Sequence, residues 1–341
     1  MKEIIRKTKK YGILFLVAVL MIYSAALINY SFSSIDREGK KVVTVDIPTG
    51  SGFLQIAEIL TREGIVRNRV FFYSLAVIKR AIRTIRAGEY EFSTSMTPLE
   101  VINKLIRGEI KIYRVTIPED FSLKEIAERL AYYKLIHEED FFDLAEDEDF
   151  LQSLNIEAAS LEGYLFPDTY FFNRSTSTRQ ILRTMVNRFW KKVTPEMIAK
   201  AKSKGFNLHE FVTFASIVGR ESGNSEEKPL IAAVFANRMK KKMPLQSDPT
   251  AVYDLENFNG KILRSHLKRK SPYNTYIIVG LPPGPIANPG IDSLKAALDP
   301  APVDYLYFVS KRDGSHFFSS SLTEHNEAVY RLRSSKKSNP K

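Results

Sequence analysis

The chain of 341 residues contains no cysteine. It therefore has no disulfide framework, no thiolate nucleophile, no cysteine-bound metal and no cysteine for lipid attachment. A chain without thiols suits an exported protein, because oxidising compartments crosslink free cysteines.

Motifs for metal and phosphate chemistry are also missing. The histidines do not follow the spacing of a zinc helix, and no glycine-rich phosphate loop or nucleophile elbow occurs. The histidines are His137, His209, His266, His316 and His325. The sequence thus predicts no cofactor and no metal, although spacing alone leaves Ser-His-Asp chemistry open.

Charge is absent from Tyr11 to Ile35, and Gly12–Ile28 is nearly all apolar. A bilayer span takes about 20 such residues. Basic residues dominate the segment before it, which predicts a cytoplasmic tail (1–10), a transmembrane helix (11–30) and an outward-facing remainder. The alternative is a cleaved signal peptide with small residues at 24–26. Both interpretations export the rest; we predict a single-pass protein of the cell (inner) membrane with an extracytoplasmic catalytic part.

The net charge is +11, with 44% hydrophobic and 26% charged residues. This composition fits a folded protein, and the basic excess favours anionic surroundings such as a lipid surface, a cell wall or nucleic acid. A merely solvated surface is the alternative. We expect no nucleic-acid partner, because the basic residues follow an export signal.

A strand-turn-helix unit beginning at Val42 recurs 70 residues later. Ile47-Pro48 matches Ile117-Pro118, and similar positions follow along the helix. The pattern predicts duplicated modules over 42–112 and 113–186, with an insertion near 147–166. Chance similarity between two such units is the alternative.

Helical patterns and a hairpin around Asp313-Gly314 then predict a mixed, mainly helical domain over 187–335. The predicted fold class is α+β.

A carboxyl group interrupts the apolar face of the helix predicted to start at Leu208. Steps of three and four place Glu221 on the face formed by Phe211, Phe214, Ala215 and Val218. Burial would raise its pKa, as a general acid requires. From periodicity alone, pairing of Glu221 with an arginine, either Arg220 or Arg238, remains open.

Several long blocks resemble the endolytic murein transglycosylase (MltG, or YceG-like) family. They are ASIVGRE (215–221), LEGYLFPDTY (161–170), VFANR (234–238), LQSDPT (245–250), SPYNTY (271–276), GLPPGPIANPG (280–290), and YLYFV (305–309) with EHN (324–326). The resemblance runs from the membrane segment to about residue 333. It implies that the repeated modules are LysM-like and contact glycan, and that cell-wall synthases could be partners.

The resemblance also implies an activity, namely a lyase that cuts peptidoglycan glycan strands with Glu221 as its catalytic acid. Many relatives carry a second glutamate where this chain has Gly219, which leaves Glu221 as the sole candidate. The motifs supply further candidates for substrate binding: Gln246, Asp248, Asn274, Tyr276, Asn288 and Glu162. Ser247-Asp248-Pro249 also has the pattern of a helix cap.

Two other functions remain open from the sequence. A non-catalytic peptidoglycan-binding scaffold would use the modules and the basic surface. A hydrolytic muramidase would use Glu221 and Asp248, because ordinary glycosidases need two carboxyl groups.

Overall fold

The computed structural model describes residues 2–39, 41–256, 258–311 and 313–334. Residue 335, the predicted end of the catalytic domain, lies outside them. The chain forms two compact units, one of residues 1–113 with 173–175 and one of 114–172 with 176–341. The finer division into 42–112, 113–186 and 187–335 stays a prediction.

The first unit begins with helix α1, Lys2–Ser31. Within the described residues, its apolar part, Arg6–Ser31, is the one segment long and apolar enough to cross a membrane. The end of this helix packs into the unit's own core. There Leu27 and Tyr30 are buried, and the Tyr30 ring lies 5.4 Å from that of Phe71.

The remainder of the first unit is a two-stranded antiparallel sheet covered by helices. Val45 pairs with Tyr90 in the sheet, and both side chains are buried. Thr97 caps α4 through a capping box with Glu100. The elements are β1 Val42–Ile47, α2 Phe53–Arg62, α3 Arg69–Ile78, β2 Gly88–Ser93 and α4 Pro98–Arg107.

The next elements follow the same order of strand, helix, helix, strand and helix, with one short extra helix. They are β3 Tyr113–Thr116, α5 Leu123–Tyr132, α6 Glu138–Ala145, α7 Glu148–Ser153, β4 Thr169–Phe172 and α8 Thr178–Lys192. β3 pairs with β4. The extra helix α7 lies in the segment where the sequence predicted an insertion.

The last part of the second unit is built around a buried helix. Asn207 starts it through a capping box with Glu210, and every residue from 211 to 219 is buried. The elements are α9 Pro195–Ser203, α10 Leu208–Glu221, α11 Lys228–Lys240, a 3-10 turn Asp248–Ala251, α12 Arg264–Leu267, α13 Ile291–Leu298, β5 Tyr307–Ser310, β6 His316–Ser319 and α14 Leu322–Ser334. β5 and β6 form the predicted antiparallel hairpin. The structure confirms the mixed α+β class.

Candidate active site

Glu221 is the last residue of α10. The apolar face on which the sequence placed it is fully buried, and Glu221 itself is half-buried. Ser222 leaves the helix in an extended conformation, with φ −148° and ψ 130°. The helix therefore carries one carboxyl group from the core to the edge of the protein surface.

Ser247 fixes the orientation of this carboxyl group. Its hydroxyl donates a hydrogen bond to Glu221 Oε1 at 2.5 Å, and its own N–H donates to Thr275 Oγ1 at 2.9 Å. A short 3-10 helix starts at Asp248 as the sequence predicted, with Ser247 in the N-cap position, but the side chain of Ser247 makes no capping hydrogen bond. The hydroxyl is committed to Glu221 instead.

Burial raises the pKa of Glu221 from 4.5 to about 7. The hydrogen bond from Ser247 lowers the pKa and the nearby charge of Asp248 raises it. Near neutral pH, this carboxyl group is therefore divided between its acid and its anion, as a group that first donates and then accepts a proton requires.

Neither arginine considered as a partner pairs with Glu221 among the described residues. Arg220 Nη1 donates to Glu125 Oε2 at 2.9 Å and to the carbonyl of Asp120 at 2.9 Å. Arg238 donates to the carbonyls of Leu306 and Leu245, each at 2.7 Å. Glu221 is thus not a buried ion pair.

Three predicted substrate-binding residues lie beside this carboxyl group at the surface. Asp248 is exposed and accepts a hydrogen bond from Tyr276 Oη at 2.5 Å. Gln246, also exposed, accepts from Arg238 Nη1 at 3.3 Å and has a left-handed φ of 52°. The charges of Asp248 and Glu221 affect each other's surroundings, and Gln246 directly precedes Ser247, which bonds to Glu221.

Asn274 and Asn288, also predicted to bind substrate, are completely buried. Asn274 Nδ2 donates to three backbone carbonyls of the preceding loop, the shortest bond being 2.7 Å to Arg269. Asn288 Nδ2 donates to Phe121 O and to Glu162 Oε1, and its Oδ1 accepts from Leu165 N–H. Their polar atoms are turned toward the protein and hold loops in shape.

Glu162 is only 3% exposed, yet it lies in the wall of an open cleft of about 830 Å³. It accepts hydrogen bonds from Leu123 N–H, Tyr253 Oη and Asn288 Nδ2 at 2.8–3.1 Å. Burial raises its pKa from 4.5 to about 7, although the bonds from Leu123 and Tyr253 lower it. This carboxylate joins three separate segments of the unit.

Comparisons with known proteins identify the family of the chain. The sequence pattern of the YceG-like family matches residues 45–331. The chain belongs to the YceG-like family. A protein of Bacillus subtilis named endolytic murein transglycosylase is 35% identical over 318 residues, which cover 89% of this chain and 88% of that one. One of Streptococcus pneumoniae with the same name is 30% identical over 94% of this chain and 65% of its own length.

The fold agrees as well. The crystal structure of a YceG-like protein from Listeria monocytogenes superimposes with a TM-score of 0.59 at 33% identity. The superposition covers 85% of this chain and 99% of the other.

Sequence reasoning missed the contribution of Ser247 to this YceG-like site. The serine was assigned to a helix cap because Ser-Asp-Pro is a frequent start of a helix. Its place in the block 245–250 does not reveal that the end of α10 lies beside it in the fold. Among the described residues, no cluster of three or more histidines and acids is placed to hold a metal.

Glu162→Ala is expected to destabilise the second unit by about 3–5 kcal/mol, because the buried N–H of Leu123 and one N–H of Asn288 Nδ2 lose their acceptor. Urea unfolding of the full chain in detergent measures this change in stability.

The raised pKa of Glu162 means that the folded protein binds this proton more tightly than the unfolded chain does. The free energy of unfolding therefore falls as pH rises from about 4.5 to about 7. This pH dependence should be weaker in the variant.

Glu128→Ala is the matched control, since it removes an exposed glutamate of α5 and should change stability by less than about 0.5 kcal/mol. Equal stabilities of the Glu162 and Glu128 variants would show that Glu162 does not hold the three segments together.

Proposed function

We propose that this chain is an endolytic murein transglycosylase, a lyase that cuts the bond between N-acetylmuramic acid and N-acetylglucosamine within nascent glycan strands. The observation that carries the proposal is the single half-buried carboxyl group of Glu221, whose pKa is raised to about 7. It lies in the ASIVGRE block, and the named relatives cover most of the chain. Cuts of this kind limit or end strand elongation.

One carboxyl group is enough for the reaction. Glu221 gives its proton to the glycosidic oxygen, and the bond from that oxygen to C1 of the muramic residue breaks. The resulting carboxylate takes the proton of the C6 hydroxyl of the same sugar, and O6 bonds to C1. The products are a 1,6-anhydro ring and a free hydroxyl group on the other sugar, with no water consumed.

The surroundings of Glu221 suit both halves of this cycle. Desolvation favours the neutral acid before cleavage, while the hydroxyl of Ser247 stabilises the anion that follows. Gln246, Asp248 and Tyr276 offer polar groups for the sugars at the same edge. For Asn274, Asn288 and Glu162 we propose a supporting role, because their hydrogen bonds are made within the protein.

A hydrolytic muramidase is the second candidate, since Asp248 is exposed beside Glu221 and could activate water. Mass spectrometry of products formed from purified peptidoglycan by the full chain in detergent separates the two. The lyase yields anhydro-muramic ends and the hydrolase yields reducing ends. We expect anhydro ends only.

Asp248→Asn refines this test. Because the lyase needs no second carboxylate, the variant should still form anhydro ends, at a rate lowered by about tenfold or less through the lost charge beside Glu221. Abolished cleavage in Asp248→Asn, together with reducing ends from the wild type, would establish the hydrolase. Binding without any product from the wild type would favour the scaffold.

We also propose that α1 anchors the protein as a single span in the cell (inner) membrane, with the folded residues that follow α1 on the outer side. The apolar Arg6–Ser31 segment and the basic residues before it support this orientation.

The repeated order of elements supports two LysM-like modules that contact glycan. Cell-wall synthases are proposed partners because they make the strands that this enzyme would cut.

A further inference from the structure

One side of α5 carries an outward stripe of side chains suited to sugars. Glu125, Glu128, Arg129 and Tyr132 follow at intervals of three, one and three residues, which places them on one face of the helix. The opposite face is buried and consists of Leu123, Ile126, Ala127 and Leu130. The helix is therefore fixed to the core on one side and free to contact a ligand on the other.

Aromatic rings lie at both ends of this stripe. Tyr132 is 82% exposed, and its ring stands at 88° to that of Tyr133 with 5.4 Å between centroids. At the other end Arg129 lies 5.6 Å above the ring of Phe121. These side chains and the two glutamates line an open cavity of about 530 Å³. A ligand that covers a large exposed ring removes apolar surface from water, which lowers the free energy.

The cavity adjoins a larger cleft whose wall includes sequence neighbours of Glu221 and Asp248. Glu125 and Glu128 also line the neighbouring 830 Å³ cleft, as do Arg220 and Pro249. Arg220 directly precedes Glu221 and bonds to Glu125, while Pro249 directly follows Asp248. A chain-like ligand that lies in the larger cleft thus also meets Glu125 and Glu128, and α5 rises about 10 Å between Glu125 and Tyr132.

The preceding module lacks these rings. At the positions 70 residues earlier, Ser51 corresponds to Phe121, Arg62 to Tyr132 and Glu63 to Tyr133. Helices α2 and α5 have the same length and the same offset, so the aromatic stripe is not a requirement of the strand-helix unit itself.

We propose that the outward face of α5 is a distal subsite for the sugar rings of the glycan strand, with Tyr132 as its stacking platform. Carboxylates accept hydrogen bonds from sugar hydroxyls, and an aromatic face covers the apolar face of a pyranose. The occupant is the polysaccharide backbone and not its peptide branches. The inference rests on glycan strands being the substrate, as proposed above.

The first measurement is binding of long glycan strands freed of their peptides to the full chain in detergent, in a Glu221→Gln background. Tyr132→Ala should weaken binding about three- to tenfold, and Tyr132→Phe should restore it. Tyr330→Ala is the control, because Tyr330 is also a surface tyrosine of the same unit, 74% exposed on α14. It should leave binding unchanged.

The second measurement is cleavage with Glu221 intact. The ratio of kcat/KM for long strands to kcat/KM for a tetrasaccharide should fall in Tyr132→Ala and not in Tyr330→Ala. Equal binding by the two alanine variants, or weakening seen only when peptides are present, overturns the subsite. Absence of anhydro ends from the wild type would overturn the proposed reaction, and the binding experiment would still decide the subsite.

Discussion

Glu221→Gln is expected to lower the rate of glycan cleavage by about 10²–10⁴-fold, the usual contribution of a positioned acid and base. Glutamine has nearly the same shape and still accepts the hydrogen bond of Ser247, which donates to Glu221 at 2.5 Å. It has no proton to give to the glycosidic oxygen. The measurement is the yield of anhydro-muramic ends by mass spectrometry.

The pH dependence makes this expectation sharper. The pKa of Glu221 is about 7, so kcat of the wild type should fall as pH rises above about 7 and the acid loses its proton. The same raised pKa makes the native state less stable as pH rises from about 4.5 to about 7. The glutamine variant cannot ionise, so at pH 8 it should be at least as stable as the wild type.

Glu226→Gln provides the control, because it makes the same chemical change at an exposed glutamate close by in the chain. It should alter neither rate nor stability. A Glu221→Gln variant that unfolds at lower urea than the wild type, with a proportionate loss of activity, would make Glu221 a structural residue.

Gly219→Ala is expected to destabilise the protein by about 1–3 kcal/mol, although alanine normally stabilises a helix relative to glycine by about 1 kcal/mol. The side chain added at Gly219 would overlap the carboxyl group of Asp120. That group is held in place by Lys228 Nζ at 3.3 Å and Ser293 Oγ at 3.4 Å. Lys228 is only 2% exposed, so its partners cannot easily move away.

A double-mutant cycle with Asp120→Gly tests this cause. Asp120 has a left-handed φ of 65°, which glycine adopts without strain, and Glu119 remains 3.4 Å from Lys228 Nζ. In the Asp120→Gly background, Gly219→Ala should cost at least about 1 kcal/mol less. The urea midpoints of the four proteins measure the coupling.

Gly223→Ala is the control for this cycle, since nothing lies within 4 Å of the position of its added side chain. Its stability should change by less than about 0.5 kcal/mol. The same cost of Gly219→Ala with and without Asp120 would show that the overlap does not determine stability.

Apolar periodicity and helix-capping residues supplied most of the correct predictions made from the sequence. The apolar spacing placed Glu221 correctly on α10, and the capping residues located several helix starts, including Asn207. These features depend on residues close together in the chain. Local patterns therefore predicted the elements and the position of Glu221 on its helix, whereas its role as the catalytic acid came from the resemblance to the family.

Contacts between distant segments were beyond such reasoning. Ser247 was assigned to a cap because its neighbours have that pattern, whereas the structure brings it to Glu221 from 26 residues away. Gly219 was interpreted as the simple loss of a carboxyl group that many relatives carry. In the structure the carboxyl group of Asp120 fills that space, and Asp120 stands 70 residues after Gly50, whose φ is also left-handed at 83°.

The junction between α1 and the first unit bears on where the enzyme can work. Leu27 and Tyr30 are part of that unit's core, and Arg67 holds the following segment through the carbonyls of Ser34 and Ile35. The connection is short, since α1 ends at Ser31 and β1 begins at Val42. With α1 anchored in the bilayer as proposed above, this short connection would hold the first unit in a thin layer of the envelope next to the bilayer, away from older wall material farther out.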